Sequence, residues 1–347
     1  MGPGASLSSA FFNGAVRPIV ERVMPDGGFL AARLGSGSDV LCLDDDVSRD
    51  HDYGCRLTLL VGDDAVDRIE HLDERLEAEL PELFAGYPVR FATTWDPRVR
   101  HKVDVQTVHD FACSRLGFDL RRSLSPAEWL CLTGQSVLEV VGGPVFHDST
   151  ASYQRVMETL SWYPDDLWYF VLASGWQRFS QELPFVGRTG ERGDETGSRI
   201  IAARISRDLM HLAFMLERTW PPYPKWTGTA ALKLPGGPAL MEAIGQVTSA
   251  EGWQDRQREL ERAVGQLADR QRKAGLPTAG PAVVPFFDRP YITTAEDLVA
   301  ALVNEIDDDQ VHRLPRIGSI EQWCDNVDLL SNPARRSAAT HVYERSP

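Results

Sequence analysis

The pattern of apolar residues changes character once, near residue 122, and that change restricts the fold more than any other feature of this 347-residue chain. Upstream, Leu7, Phe11, Ala15, Ile19 and Val23 recur at helical spacing, and Pro25-Asp26-Gly27-Gly28 ends the run. Residues 29–34 read as a short buried strand, 35–38 as a flexible turn and 50–61 as a second strand. Val66, Ile69, Leu72, Leu76 and Leu80 share a helix face, and 89–94 and 102–108 have strand patterns. Downstream, 126–141, 165–182, 198–218 and 251–272 are helical in pattern, separated by Pro and Gly clusters such as Pro235-Gly236-Gly237-Pro238. The expected fold class is α+β: a small mixed-sheet domain over residues 1–122, then an all-α domain over 123–347.

Charge and cysteine usage narrow the function classes. A formal charge of -14 argues against broad adhesion to polymeric nucleic acid or an anionic membrane, yet leaves room for a nucleotide whose phosphates are met through bound cations. Cys42, Cys55, Cys113, Cys131 and Cys324 are odd in number and have no C-x-x-C spacing. That pattern suits free thiols in a reducing, cytoplasmic compartment rather than disulfides or a zinc site. His109, His147 and His211 show no metal-ligand spacing. Residues 1–17 do not have the pattern expected of a signal peptide, and no apolar run is long enough to be expected to span a membrane.

The chemistry concentrates between residues 35 and 52. Asp50 and Asp52, at i and i+2 on a strand, point to one side of the sheet, with His51 directed the other way as a structural histidine. Two anions held so close call for a cation between them. Mg²⁺, which takes carboxylates, waters and substrate phosphates, is the first candidate, and Mn²⁺ fits the same ligands. In the preceding turn, Gly35 and Gly37 let backbone N–H groups approach a phosphate, and the Ser36 and Ser38 hydroxyls add donors. Asp104, the one acid in the run Val103-Asp104-Val105-Gln106-Thr107-Val108, is the candidate third carboxylate for in-line displacement at phosphorus. Arg49 stands beside Asp50, to neutralise the carboxylates or to touch phosphate.

Strand, Gly-Ser turn, Asp-x-Asp on the next strand and a lone acid on a later strand together resemble the DNA polymerase beta-like nucleotidyltransferase superfamily. Within it, the chain is similar to a bacterial group of unknown function, through Gly35-Ser36-Gly37-Ser38-Asp39-Val40, Ser48-Arg49-Asp50-His51-Asp52-Tyr53-Gly54 and segments of the helical part such as Pro222-Tyr223-Pro224-Lys225-Trp226. The resemblance implies a nucleotidyltransferase domain at residues 1–122 and a helical acceptor domain at 123–347. It implies metal ligation by Asp50, Asp52 and Asp104, and phosphate contact by the Gly-Ser turn. Both Gly35-Ser36 and Gly37-Ser38 fit the spacing; the position directly after the strand favours Ser36.

The expected reaction moves a nucleoside monophosphate from an NTP co-substrate to a hydroxyl-type acceptor, a small molecule by preference, with release of pyrophosphate. A protein acceptor, as in a toxin-like nucleotidylating enzyme, and a nucleotide-binding regulator without turnover are the alternatives. In the helical part, Lys225 and Tyr223 are candidate nucleotide contacts. Glu182, Arg188 and Asp194 belong to a polar, glycine-rich stretch read as a substrate loop over 184–197, where an acid could serve as general base in competition with Asp104. Trp129, Trp162, Trp168 and Trp176 are expected in the core, and the charges of 251–272 on a solvated helix face.

Overall fold

The computed structural model describes residues 2–44, 54–94 and 96–344 and comprises two compact units. The first is made of Met1–Leu124 and Ser136–Ser161, the second of Ser125–Gln135 and Trp162–Pro347. The architecture is α+β, with a five-stranded mixed sheet in the first unit and helices dominating the second. The chain passes from the first unit to the second after Leu124, and residues 136–161 return to the sheet-bearing unit.

In the first unit, α1 (Pro3–Phe11), a π-helical turn (Phe12–Val16) and α2 (Arg17–Val23) form one amphipathic run. They precede β1 (Phe29–Ala32) and β2 (Arg56–Val61). A 3-10 turn (Asp63–Arg68) leads into α3 (Ile69–Glu79), followed by the small hairpin β3 (Leu83–Phe84) and β4 (Tyr87–Pro88). Then come β5 (Arg90–Thr93), the long β6 (Asp96–Thr107) and α4 (Val108–Leu116). Thr107 caps α4 by accepting the Asp110 N–H at 2.9 Å, and Gly117, at φ +83°, closes it in a left-handed conformation.

The strand order is β5-β6-β2-β1-β7, where β7 (Val145–Asp148) adds the outer strand. β1 runs antiparallel to β2 and β7, whereas β2 and β6 are parallel, with Thr58 opposite Asp104. The parallel pair needs a crossover, which α3 supplies. Strand alternation places Leu57, Leu59, Val61 and Val103 in one apolar core with Phe11, Phe12, Val16, Val20, Leu72 and Leu76. Arg56, Thr58, Asp104 and Gln106 therefore belong to the opposite face.

The helical pattern over 126–141 resolves into α5 (Pro126–Leu130), opened by a Ser125–Glu128 capping box, and α6 (Gly134–Val141). The break admits a close approach: a Cβ on Gly134 would lie 2.2 Å from the Pro221 carbonyl oxygen. After α7 (Ala151–Thr159), the second unit is built on α8 (Asp165–Gly190), α9 (Glu195–Leu216), α10 (Pro224–Ala231), α11 (Gly237–Ser249) and α12 (Trp253–Lys273). The four expected core tryptophans are buried, and the Trp176 indole donates to Gln271 Oε1 at 2.6 Å. One expectation fails within the charged helix α12. Arg256 is fully buried, not solvated, and meets Glu195 at 3.0 Å and the Ser198 hydroxyl at 2.7 Å.

α8 and α12 meet through a missing side chain: a Cβ on Gly190 would come within 2.4 Å of Trp253. Gly→Ala in a helix ordinarily stabilises by about 0.5–1 kcal/mol. Gly190→Ala should reverse that sign and cost about 1–3 kcal/mol through overpacking, read as a lower midpoint in urea denaturation.

Candidate functional site

The backbone leaves the ladder after β1 and turns at Gly35 and Gly37, whose φ values of +82° and +145° lie in the region that favours glycine. The turn is held from several directions. The Arg33 N–H donates to the Pro144 carbonyl (3.0 Å) and the Gly35 N–H to the Glu139 carbonyl (2.7 Å). The Thr58 hydroxyl accepts the Leu34 N–H and donates to the Leu34 carbonyl, each at 3.2 Å, fastening the start of the turn to β2.

Its central support is an ion pair. The Arg33 side chain, 2% exposed, donates from Nε to Asp39 Oδ2 at 2.6 Å and from Nη2 to Asp39 Oδ1 at 2.8 Å; Asp39 is itself only 13% exposed. The remaining Arg33 donors reach the Leu34 and Ser36 carbonyls, and Arg56 Nη2 also donates to the Ser36 carbonyl at 3.2 Å. The carbonyls of the turn are thereby drawn toward the cations. Among the described residues, no group accepts a hydrogen bond from the N–H of Ser36, Gly37 or Ser38. Farther along, the buried Asp44 carboxylate accepts the Gly4 N–H at 2.7 Å, tying the loop to the first turn of α1.

Asp104 lies on the same sheet face as Thr58. Its carboxylate is 42% exposed, accepts from Gln106 Nε2 at 2.7 Å and stands 3.9 Å from Arg115 Nη2. Arg115, on α4, also lies 3.6 Å from Glu139 Oε2 and 3.4 Å from where a Cβ on Gly35 would be. A single guanidinium thus stands between the turn and Asp104. The exposed carboxylate has lone pairs to spare for a cation. Asp50 and Asp52, and with them Arg49 and His51, lie outside the described residues.

The other candidates belong to the second unit. Residues 184–197 do not form a loop. α8 continues through Pro184 to Gly190 and α9 begins at Glu195, leaving four residues between them. The glycines there serve helix packing and the turn. Glu182 sits inside α8, paired with Arg178 at 3.9 Å and with Arg204. Arg188 lies over the Phe185 ring (5.6 Å), and Asp194 caps α9 by accepting the Gly197 N–H at 2.7 Å. Tyr223 precedes α10 and donates its N–H to Gln135 Oε1 at 2.9 Å; exposed Lys225 lies 4.9 Å from the Trp226 ring centroid.

Arg33, Thr58, Arg115 and Glu139 escaped sequence reasoning. Arg33 adjoins the turn but reads as a charge ending a strand, and nothing in the sequence relates Arg115 or Glu139 to residue 35. His109, read as lacking metal-ligand spacing, lies on α4 one helical turn before Cys113, and the loop beyond brings Asp119 close, so that one donor atom from each of the three falls within 4.8 Å of the others.

Asp39→Ala should leave a buried guanidinium without its counter-ion and destabilise the protein by about 3–5 kcal/mol. Arg33→Met combined with Asp39→Leu should cost less than that single change in the same urea titration.

A family model described as "Domain of unknown function (DUF4037)" matches residues 129–227. The matched stretch contains Glu182, Arg188, Asp194, Tyr223 and Lys225, while the Gly-Ser turn and Asp104 fall outside it. Neither the curated proteins nor the solved structures include a match to this chain.

Proposed function

We propose that the chain is a nucleotidyltransferase that moves a nucleoside monophosphate from an NTP to a hydroxyl-type acceptor. The observation that carries this reading is the turn at residues 35–38. Its Ser36, Gly37 and Ser38 N–H groups have no acceptor among the described residues, and Arg115 links its base to the half-exposed Asp104. Preorganised N–H donors in a glycine turn are a means of holding phosphate oxygens. With the Gly35 N–H already given to Glu139, phosphate contact falls to Ser36 and the two residues after it. The Arg33–Asp39 pair keeps these donors in place before substrate arrives, so little ordering remains to oppose binding.

Asp50, Asp52 and Asp104 would hold Mg²⁺, which, when bound, offsets the charge of the triphosphate and the leaving pyrophosphate. Arg115, close to Asp104 and the turn, adds a fixed positive charge for the same phosphates. Asp104 also has a carboxylate oxygen able to accept the acceptor's hydroxyl proton. In the second unit, Lys225 with the adjacent Tyr223 and Trp226 rings offers a cation and aromatic surface suited to a nucleotide or acceptor.

Full-length protein, incubated with Mg²⁺ and α-labelled ATP or CTP, should label a member of a panel of hydroxyl-bearing small molecules. Asp104→Asn should lower that rate by at least ~10²-fold, corresponding to the several kcal/mol that metal catalysis contributes, with little change in the denaturation midpoint because the side chain is half exposed. Undiminished transfer by an Asp50→Asn, Asp52→Asn double variant would falsify the mechanism. Label appearing only on protein from a lysate would replace the small-molecule acceptor by a protein side chain.

A further inference from the structure

The face of α4 turned away from Arg115 carries a second constellation. Helical periodicity of about 100° per residue sets His109 and Cys113 close together and Arg115 about 140° around the axis from their midpoint. Cys113 Sγ lies 3.6 Å from either ring nitrogen of His109, and His109 Nδ1 lies 3.5 Å from Asp119 Oδ1. One donor atom from each of the three residues falls within 4.8 Å of the others.

These separations have a specific meaning. Bonds of about 2.3 Å to sulfur and 2.0–2.1 Å to nitrogen or oxygen, at tetrahedral angles, place S and N ~3.6 Å apart and N and O ~3.3 Å apart. The His109–Cys113 and His109–Asp119 distances lie close to those values before any adjustment. A cysteine and an imidazole with a carboxylate form a borderline-soft set that favours Zn²⁺-type cations over Mg²⁺. Once Cys113 is a thiolate, two negative charges face a dication.

We propose that His109, Cys113 and Asp119 form a binding site for a divalent transition metal, Zn²⁺ by its chemistry, separate from the carboxylate site around Asp104. Arg121 orients the third ligand: its backbone N–H and Nε donate to Asp119 Oδ1 at 2.9 and 3.1 Å, and Nη2 donates to Oδ2 at 2.9 Å. That pairing holds the Asp119 carboxyl down at about 2, so the group is already ionised at neutral pH. Burial, with Asp119 nearby, raises the Cys113 thiol above its ordinary range. The thiol proton therefore leaves for solvent as the metal–sulfur bond forms.

The site would clip the loop after Gly117 onto α4. Three protein ligands leave a fourth tetrahedral position for water or an anion. His109 is shared with a cleft of about 280 Å³ whose lining includes Asp63, Arg121, Ser152 and Arg155, so small ligands can approach the imidazole from that side.

Co²⁺ added to the full-length protein tests this directly. The expected result is a cobalt–thiolate charge-transfer band that saturates at one Co²⁺ per chain and that Zn²⁺ then bleaches by displacement. Cys113→Ser should abolish the band, and Asp119→Asn should weaken Co²⁺ binding by ~10-fold or more, while Cys42→Ser leaves both unchanged. In the unaltered protein, Zn²⁺ should slow alkylation of Cys113 and not of the exposed Cys42, and should raise the thermal midpoint. Absence of the thiolate band, its persistence in Cys113→Ser, unaltered affinity in Asp119→Asn, or equal alkylation of Cys113 with and without Zn²⁺ overturns the site.

Discussion

A guanidinium taken out of water must recover its hydration from fixed acceptors, and Arg33 does so by gathering the backbone around itself. Its donors span the Asp39 carboxylate and the Leu34 and Ser36 carbonyls. Satisfying them requires the chain to turn within six residues, which two glycines at positive φ permit. The same geometry turns carbonyl oxygens toward the cation and leaves successive N–H groups without that role. A donor-rich turn is thus a consequence of burying one charge, and the candidate phosphate contacts depend on it.

Sheet register carries that arrangement to the rest of the first unit. Thr58 grips Leu34 with its hydroxyl and stands opposite Asp104 in the parallel β2–β6 pair. A slip of one residue would send Asp104 into the core face with Val103 and Val105. Apolar packing of Leu57, Leu59 and Val61 under α1, α2 and α3 prevents it. α4 follows directly from β6, so its position is inherited from the same strand. One of its faces brings Arg115 toward Asp104, and the other collects His109 and Cys113.

Much of this was legible from residue pattern. Periodicity located the first helical run, β1, α3, β5 and the long helices, because each buries one continuous face and repeats its apolar residues accordingly. The Gly-Ser turn was legible because glycines at positive φ and short hydroxyl side chains have few other reasons to alternate. β7 was not, since four residues flanked by glycines and Pro144 have too little pattern to distinguish strand from loop. The glycine-rich stretch after Glu182 misled for a related reason. Glycine reads as a loop residue, yet Gly187 and Gly190 lie in α8 where Trp253 and Tyr291 approach too closely for any side chain.

The sequence by itself determined the α+β class, the turn at residues 35–38 and the isolation of Asp104 among apolar neighbours, since each is a local property of spacing and residue type. Only the tertiary structure decided that Arg33 is the buried anchor of that turn, that Arg115 stands beside Asp104, and that residues 136–161 complete the first unit. It alone brought Asp119 to His109 and Cys113. Those outcomes depend on which charges are removed from water and which distant segments compensate them, and such pairings leave no period along the chain.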